Sequence, residues 1–138
     1  MSIGIGIYAK NSKEAVDFYC NVFGLELGYH VLNKDGNYFH SELLKDGAPF
    51  LAVAESNDAN LPNGMNMSYD NPFEMGYTVM SDDEFYRIYS ILKEEGKVII
   101  DVCSFPWSPL ATVVMDKYGA RWYITLPQYR PAGEERLL

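Results

Sequence analysis

Residues 3–8 read Ile3-Gly4-Ile5-Gly6-Ile7-Tyr8, an apolar alternation of period two that predicts a strand with isoleucine on one face and Gly4, Gly6 and Tyr8 on the other. The isoleucine face suits a packed helix, and the glycine face leaves empty volume. The period then changes. Ala15, Phe18, Tyr19, Val22 and Phe23 fall at helical spacing, behind the capping-box pattern Asn11-Ser12-Lys13-Glu14 and ahead of Gly24, which suits a left-handed position just past a helix. Further apolar alternation leads to a Gly47-Ala48 turn and an apolar strand over residues 50–54.

The same succession returns. A strand-like run over 73–80 precedes Ser81-Asp82-Asp83-Glu84, an apolar stripe at Phe85, Ile88, Tyr89 and Leu92, then Gly96, a Gly119-Ala120 turn and an apolar strand over 122–126. Ser81 follows Asn11 by 70 positions, Glu84 follows Glu14 by 70, and Gly96 follows Gly24 by 72. Capping boxes and terminal glycines are common, but three landmarks at offsets of 70, 70 and 72 point to a duplication. The pattern predicts an α+β fold of two tandem βαβββ modules, 1–56 and 73–127. A linker rich in Asn, Pro, Gly and Met joins them over 57–72, and an arm follows over 128–138.

Composition narrows the classes. At 138 residues, 48% hydrophobic and 22% charged, the chain can bury a core, so wholesale disorder is excluded. Each half carries a formal charge of −4 within a total of −8, a balance that repels phosphate backbones and anionic lipid and argues against nucleic-acid and membrane partners. Cys20 and Cys103 lack the paired spacing of a zinc site and are too few for a disulfide scaffold, so the expected location is cytoplasmic. The amino terminus lacks a signal-peptide pattern, and no apolar run is long enough for a membrane helix. The compositional excess is aromatic: 11 Tyr, 7 Phe and 2 Trp.

A doubled βαβββ unit carrying Ala15-Val16-Asp17-Phe18-Tyr19 and then Phe23-Gly24-Leu25 resembles the vicinal oxygen chelate superfamily, which contains glyoxalase I, extradiol dioxygenases and bleomycin-binding proteins. His40-Ser41-Glu42-Leu43, Phe105-Pro106-Trp107 and Asp116-Lys117-Tyr118-Gly119-Ala120-Arg121-Trp122 resemble its PhnB-like branch. The resemblance implies cupped mixed sheets enclosing a cavity with helices outside, and pairing of chains as a homodimer. It also implies, for metal-dependent members, His and Glu ligands on the first, fourth, fifth and eighth strands. Alignment on the first helix puts Gly4, Leu51, Met75 and Tyr123 at those places, and a one-residue slip would add only Glu74 as a donor. The expectation is therefore no metal and no cofactor.

Candidates for a ligand-binding surface remain. In Tyr38-Phe39-His40-Ser41-Glu42-Leu43, alternation puts Tyr38, His40 and Glu42 on one face, and Tyr8, Tyr77, Arg121 and Tyr123 are assigned to the same class. Such a surface offers aromatic walls, hydroxyls, an imidazole and a guanidinium to a small, flat or amphipathic molecule. His40 beside Glu42 is either a structural hydrogen-bonding pair or a ligand contact, and as weak catalytic candidates the two could act as a general base. Nothing in the sequence supplies a nucleophile for them. Trp107, between Pro106 and Pro109, is either a wall over the cavity or a plug fixing its loop. Met75, with Met65 and Met67, forms either a soft apolar rim or linker packing. Arg121 is a carboxylate clamp or an ion-paired strand residue, and Trp122 is expected in the core.

Three functional classes follow: a metal-free small-molecule binding protein, a glyoxalase- or dioxygenase-type lyase or isomerase, and a drug-sequestering protein of the bleomycin-resistance kind.

Overall fold

The computed structural model describes residues 3–56, 73–129 and 133, and divides into two compact units, residues 1–68 and 69–138. The expected linker 57–72, with Met65 and Met67, and most of the expected arm lie outside the described residues. In the first unit the order is β1 (Gly6–Ala9), α1 (Ser12–Phe23), β2 (Glu26–Leu32), β3 (Tyr38–Lys45) and β4 (Ala48–Glu55). The second repeats it as β5 (Met75–Thr78), α2 (Asp82–Lys93), β6 (Lys97–Phe105), β7 (Ser108–Met115) and β8 (Arg121–Thr125). Each unit holds one four-stranded mixed sheet, ordered β1-β4-β3-β2 and β5-β8-β7-β6, with the first strand parallel to the fourth and the other pairs antiparallel. No helix among the described residues is long and apolar enough to cross a membrane.

Helix α1 lies across its sheet with Ala15, Val16, Tyr19, Val22 and Phe23 buried, and Leu43, Leu51 and Val53 are among the buried strand residues of the unit. Burying a side chain of that size contributes roughly 1.5–3 kcal/mol. Its C-terminus is closed by Gly24 at φ 67° and by Lys45 Nζ, which donates to the Phe23 carbonyl at 2.6 Å. Its N-terminus corrects the sequence reading. Asn11 sits in the left-handed region at φ 58°, and its side chain makes no cap hydrogen bond. The cap comes instead from Glu55 at the end of β4, whose two carboxylate oxygens accept from Asn11 N at 3.0 Å and Ser12 N at 2.8 Å.

In the second unit α2 packs on β7 and β8 with Phe85, Ile88 and Leu92 buried, and Ser81 caps it as expected, accepting from Glu84 N at 3.1 Å. Gly96 does not end this helix in the left-handed manner of Gly24. Glu94 is already extended and Glu95 takes the positive φ of 60°. Gly96 is required for another reason, since a Cβ there would collide with the Leu92 and Met115 carbonyl oxygens.

Asp116, fully buried, organises the β7–β8 turn. Its Oδ1 accepts from Tyr118 N at 2.9 Å and Ala120 N at 3.0 Å, and its Oδ2 from Trp122 Nε1 at 2.9 Å. Much of the Asp116-to-Trp122 motif is thereby a structural clasp: the acid holds the turn closed and satisfies the indole of the largest buried side chain.

Candidate functional site

Ladder partners lie on the same face of a sheet, so register assigns each candidate to a face. In the first unit Gly6 pairs with Ala52 and Tyr8 with Ala54, and Ala52 in turn pairs with Glu42. His40, two positions from Glu42 on β3, shares that face, which points away from α1. Ile3 and Ile5 do not join Ile7 in a strand against the helix. They precede β1 in an irregular segment and are exposed, Ile3 by 93%.

Tyr38 corrects the alternation. His40 pairs with Val31 and Tyr38 with Leu32, so Phe39 is an extra residue on β3 and the ladder is bulged there. Parity reverses across the bulge, which turns Tyr38 to the α1 side. It is only 7% exposed, and its backbone N–H donates to Ser12 Oγ at 2.8 Å. Burial, with the negative charge of Asp17 and the Cys20 thiol nearby on α1, raises its phenol above the ordinary tyrosine range. Cys20 is raised by the same causes, burial first and then Asp17.

His40 Nε2 lies 3.0 Å from Glu42 Oε2, and the Tyr29 ring lies 6.2 Å from the imidazole. The pair forms one wall of a pocket of about 240 Å³. The remaining lining is apolar: Ile3, Gly4 and Ile5 from the segment before β1, Leu43 from β3, and Pro49, Phe50, Leu51 and Ala52 from β4. Phe50 is itself an extra residue in a second bulge, because Leu43 pairs with Leu51 but Leu44 pairs with Pro49. Of the sequence candidates, the pocket gathers His40 and Glu42. Tyr8 shares their sheet face but does not line it.

In the second unit Gly76 pairs with Tyr123, while Met75 pairs with Trp122 and Tyr77 with Ile124. Met75 and Tyr77 therefore share the face of the buried Trp122 and Ile124, opposite Tyr123 and Arg121, and the expected common face for Tyr77 and Tyr123 does not form. Arg121 Nε donates to Glu74 Oε2 at 3.0 Å, an ion pair in which both partners are partly exposed. Trp107, at the turn between β6 and β7, stacks on Phe105 with centroids 4.9 Å apart and donates its indole N–H to the Tyr123 hydroxyl at 2.9 Å. Trp107 thus fixes its turn while keeping 37% of its surface exposed.

Register also revises the positions where the resemblance places metal ligands. Leu51 and Met75 do not lie on the same faces as Gly6 and Tyr123; Ala52 and Gly76 do. Gly4, Gly6, Ala52 and Gly76 bring no donor side chain, Tyr123 brings a phenol already engaged by Trp107, and Glu74, two positions before Gly76 in the chain, is engaged by Arg121. Among the described residues no three His, Cys, Asp or Glu side chains converge as metal ligands would. This donor set does not fit a divalent ion of the glyoxalase kind.

Sequence reasoning missed Ile3, Ile5, Pro49, Phe50 and Ala52 as lining residues. Alternation of small residues along residues 50–54 could have suggested Ala52 and Ala54, but Ile3 and Ile5 were assigned to the helix face.

No curated protein matches the chain. Among solved structures, a PhnB protein from Bacillus cereus superposes with a TM-score of 0.74 at 20% identity, covering 91% of this chain and 99% of that one. Protein PA1353 from Pseudomonas aeruginosa gives 0.70 at 18% identity, covering 91% and 98%. The fosfomycin resistance protein FosX from Mesorhizobium loti gives 0.61 at 9% identity, covering 91% of each chain. At these identities the likeness is one of fold. The family model matching residues 4–124 covers most of the sequence, and on that match the chain belongs to the glyoxalase/bleomycin resistance protein/dioxygenase superfamily.

Proposed function

We propose that the chain is a small-molecule binding protein of this superfamily that works without a metal ion. The observation that carries the reading is the pocket in the first unit, where an imidazole–carboxylate pair 3.0 Å apart stands against walls of Ile3, Ile5, Pro49, Phe50 and Ala52. An apolar cleft with a few convergent polar groups is the usual form of a small-molecule site. Tyr8 extends the surface from the same sheet face. In the second unit Trp107, Arg121 and Tyr123 are proposed as a further ligand-facing surface. Tyr38, Met75 and Tyr77 are not among the proposed contacts, because register turns them to the other faces.

The metal-free part is tested by equilibrating the protein with Zn, Ni, Mn or Fe and measuring bound metal after gel filtration. Substoichiometric retention is expected, and one tightly held ion per chain overturns the reading.

The His40–Glu42 hydrogen bond favours a second reading, a metal-independent isomerase or lyase in which the pair moves a proton. Turnover of a 2-oxoaldehyde hemithioacetal, lost in His40→Ala, would establish it. The proposal also includes a cytoplasmic homodimer. Two free cysteines suit a reducing compartment, and the sheet edge at β2 exposes Tyr29 and Leu32, with Phe39 beside them on β3. Sedimentation equilibrium at the mass of one chain would remove the dimer.

A further inference from the structure

The pocket in the first unit has a charge character that narrows what it takes. Glu42 Oε2 is paired with His40 Nε2, whereas Oε1 has no hydrogen-bond partner among the described residues, and the Glu42 side chain keeps 46% of its surface exposed. Among the described residues, no lysine or arginine lines the pocket. The basic residue at the end of the same strand, Lys45, is held by the Phe23 carbonyl at the end of α1. With the imidazole neutral the pair carries one negative charge, and with it protonated the charges cancel. In neither state does the pocket carry the net positive charge that would hold an anion. The overall charge of −8 adds a field of the same sign.

From these observations we infer that the pocket selects ligands with a protonated amine joined to a short apolar body, the ammonium hydrogen-bonding Glu42 and the body lying along Ile3, Ile5 and Phe50. An ammonium brings Glu42 a hydrogen bond between opposite charges, an alcohol brings one without a charge of its own, and a carboxylate ligand would meet Glu42 with like charge. The volume of about 240 Å³ accommodates one ring and a short chain.

This inference rests on the pocket being a small-molecule site, and three probes that share a phenylpropyl body separate the two claims. 3-Phenylpropylamine, 3-phenylpropanol and 3-phenylpropionate are titrated into the full chain, with dissociation constants read from chemical-shift changes of Ile3, Ile5, His40 and Ala52 resonances. The expected result is binding of the amine about tenfold tighter than the alcohol and tighter still than the carboxylate, a factor that corresponds to about 1.4 kcal/mol. In Glu42→Gln the amine should fall to the affinity of the alcohol. Equal binding of amine and alcohol, or tighter binding of the carboxylate, overturns the inference and leaves the pocket standing as a site. If none of the three shifts the pocket resonances at millimolar concentration, both claims fall. The comparison of probes on the unmutated protein does not depend on how the variant folds.

Discussion

The indole N–H of Trp107 donates to the hydroxyl of Tyr123 at 2.9 Å, tying the β6–β7 turn to the strand position where metal-dependent relatives are expected to keep a ligand. The bond orients the phenol and occupies a lone pair that a cation would need. A double-mutant cycle of Trp107→Phe and Tyr123→Phe should give a coupling energy of about 0.5–1.5 kcal/mol in urea unfolding. A coupling near zero would mean that the contact contributes nothing to fixing the turn.

Asp116 is fully buried and accepts from two backbone N–H groups and the Trp122 indole. Asp116→Ala leaves these donors without their acceptor and opens a void, so we expect a loss of about 3 kcal/mol or more in denaturant unfolding. Asp116→Asn keeps one acceptor oxygen and should lose less. Equal loss in the two variants would contradict the clasp.

Glu55 caps α1 from a position more than forty residues away in the chain. Glu55→Ala should cost about 1–2 kcal/mol, and amide hydrogen exchange should accelerate in the first turn of α1 more than in β4. Asn11→Ala should cost less, because its side chain does not cap.

Alkaline pH should destabilise the first unit. Tyr38 and Cys20 both have folded-state pKa values raised above their ordinary values of 10.0 and 9.0, so the folded chain holds those protons more tightly than the unfolded chain. Their stabilising effect is fully present below the unfolded values and is lost as pH rises from there through the folded values. The thermal midpoint should fall as pH rises past 9, and fall less in the Cys20→Ala, Tyr38→Phe double variant. An equal fall in the variant would remove these groups as the cause.

The repeated βαβββ order was legible because it is written in local chemistry. Gly24 supplies the left-handed residue past α1, Ser81 caps α2, and the stripe of Phe85, Ile88 and Leu92 buries one helix face. The site was legible only where alternation ran unbroken. His40 and Glu42 lie on one side of the bulge and share a face, whereas Phe39 inserts one residue and turns Tyr38 away. Nothing in Tyr38-Phe39-His40 announces that insertion, which depends on the pairing of β3 with β2. Tyr77 was misplaced for a related reason, since its face is set by the register of β5 against β8, more than forty residues along the chain. The Glu55 cap is equally non-local.

Electron density in the first-unit pocket is the most direct measurement, from crystals grown with added divalent metal and soaked in 3-phenylpropylamine. The expected result is the organic molecule between Ile5 and Phe50 in contact with the His40–Glu42 pair, with no ion held by protein side chains. An ion coordinated at His40 or Glu42, or a pocket filled only by water at saturating probe, would contradict metal-free ligand binding at this site.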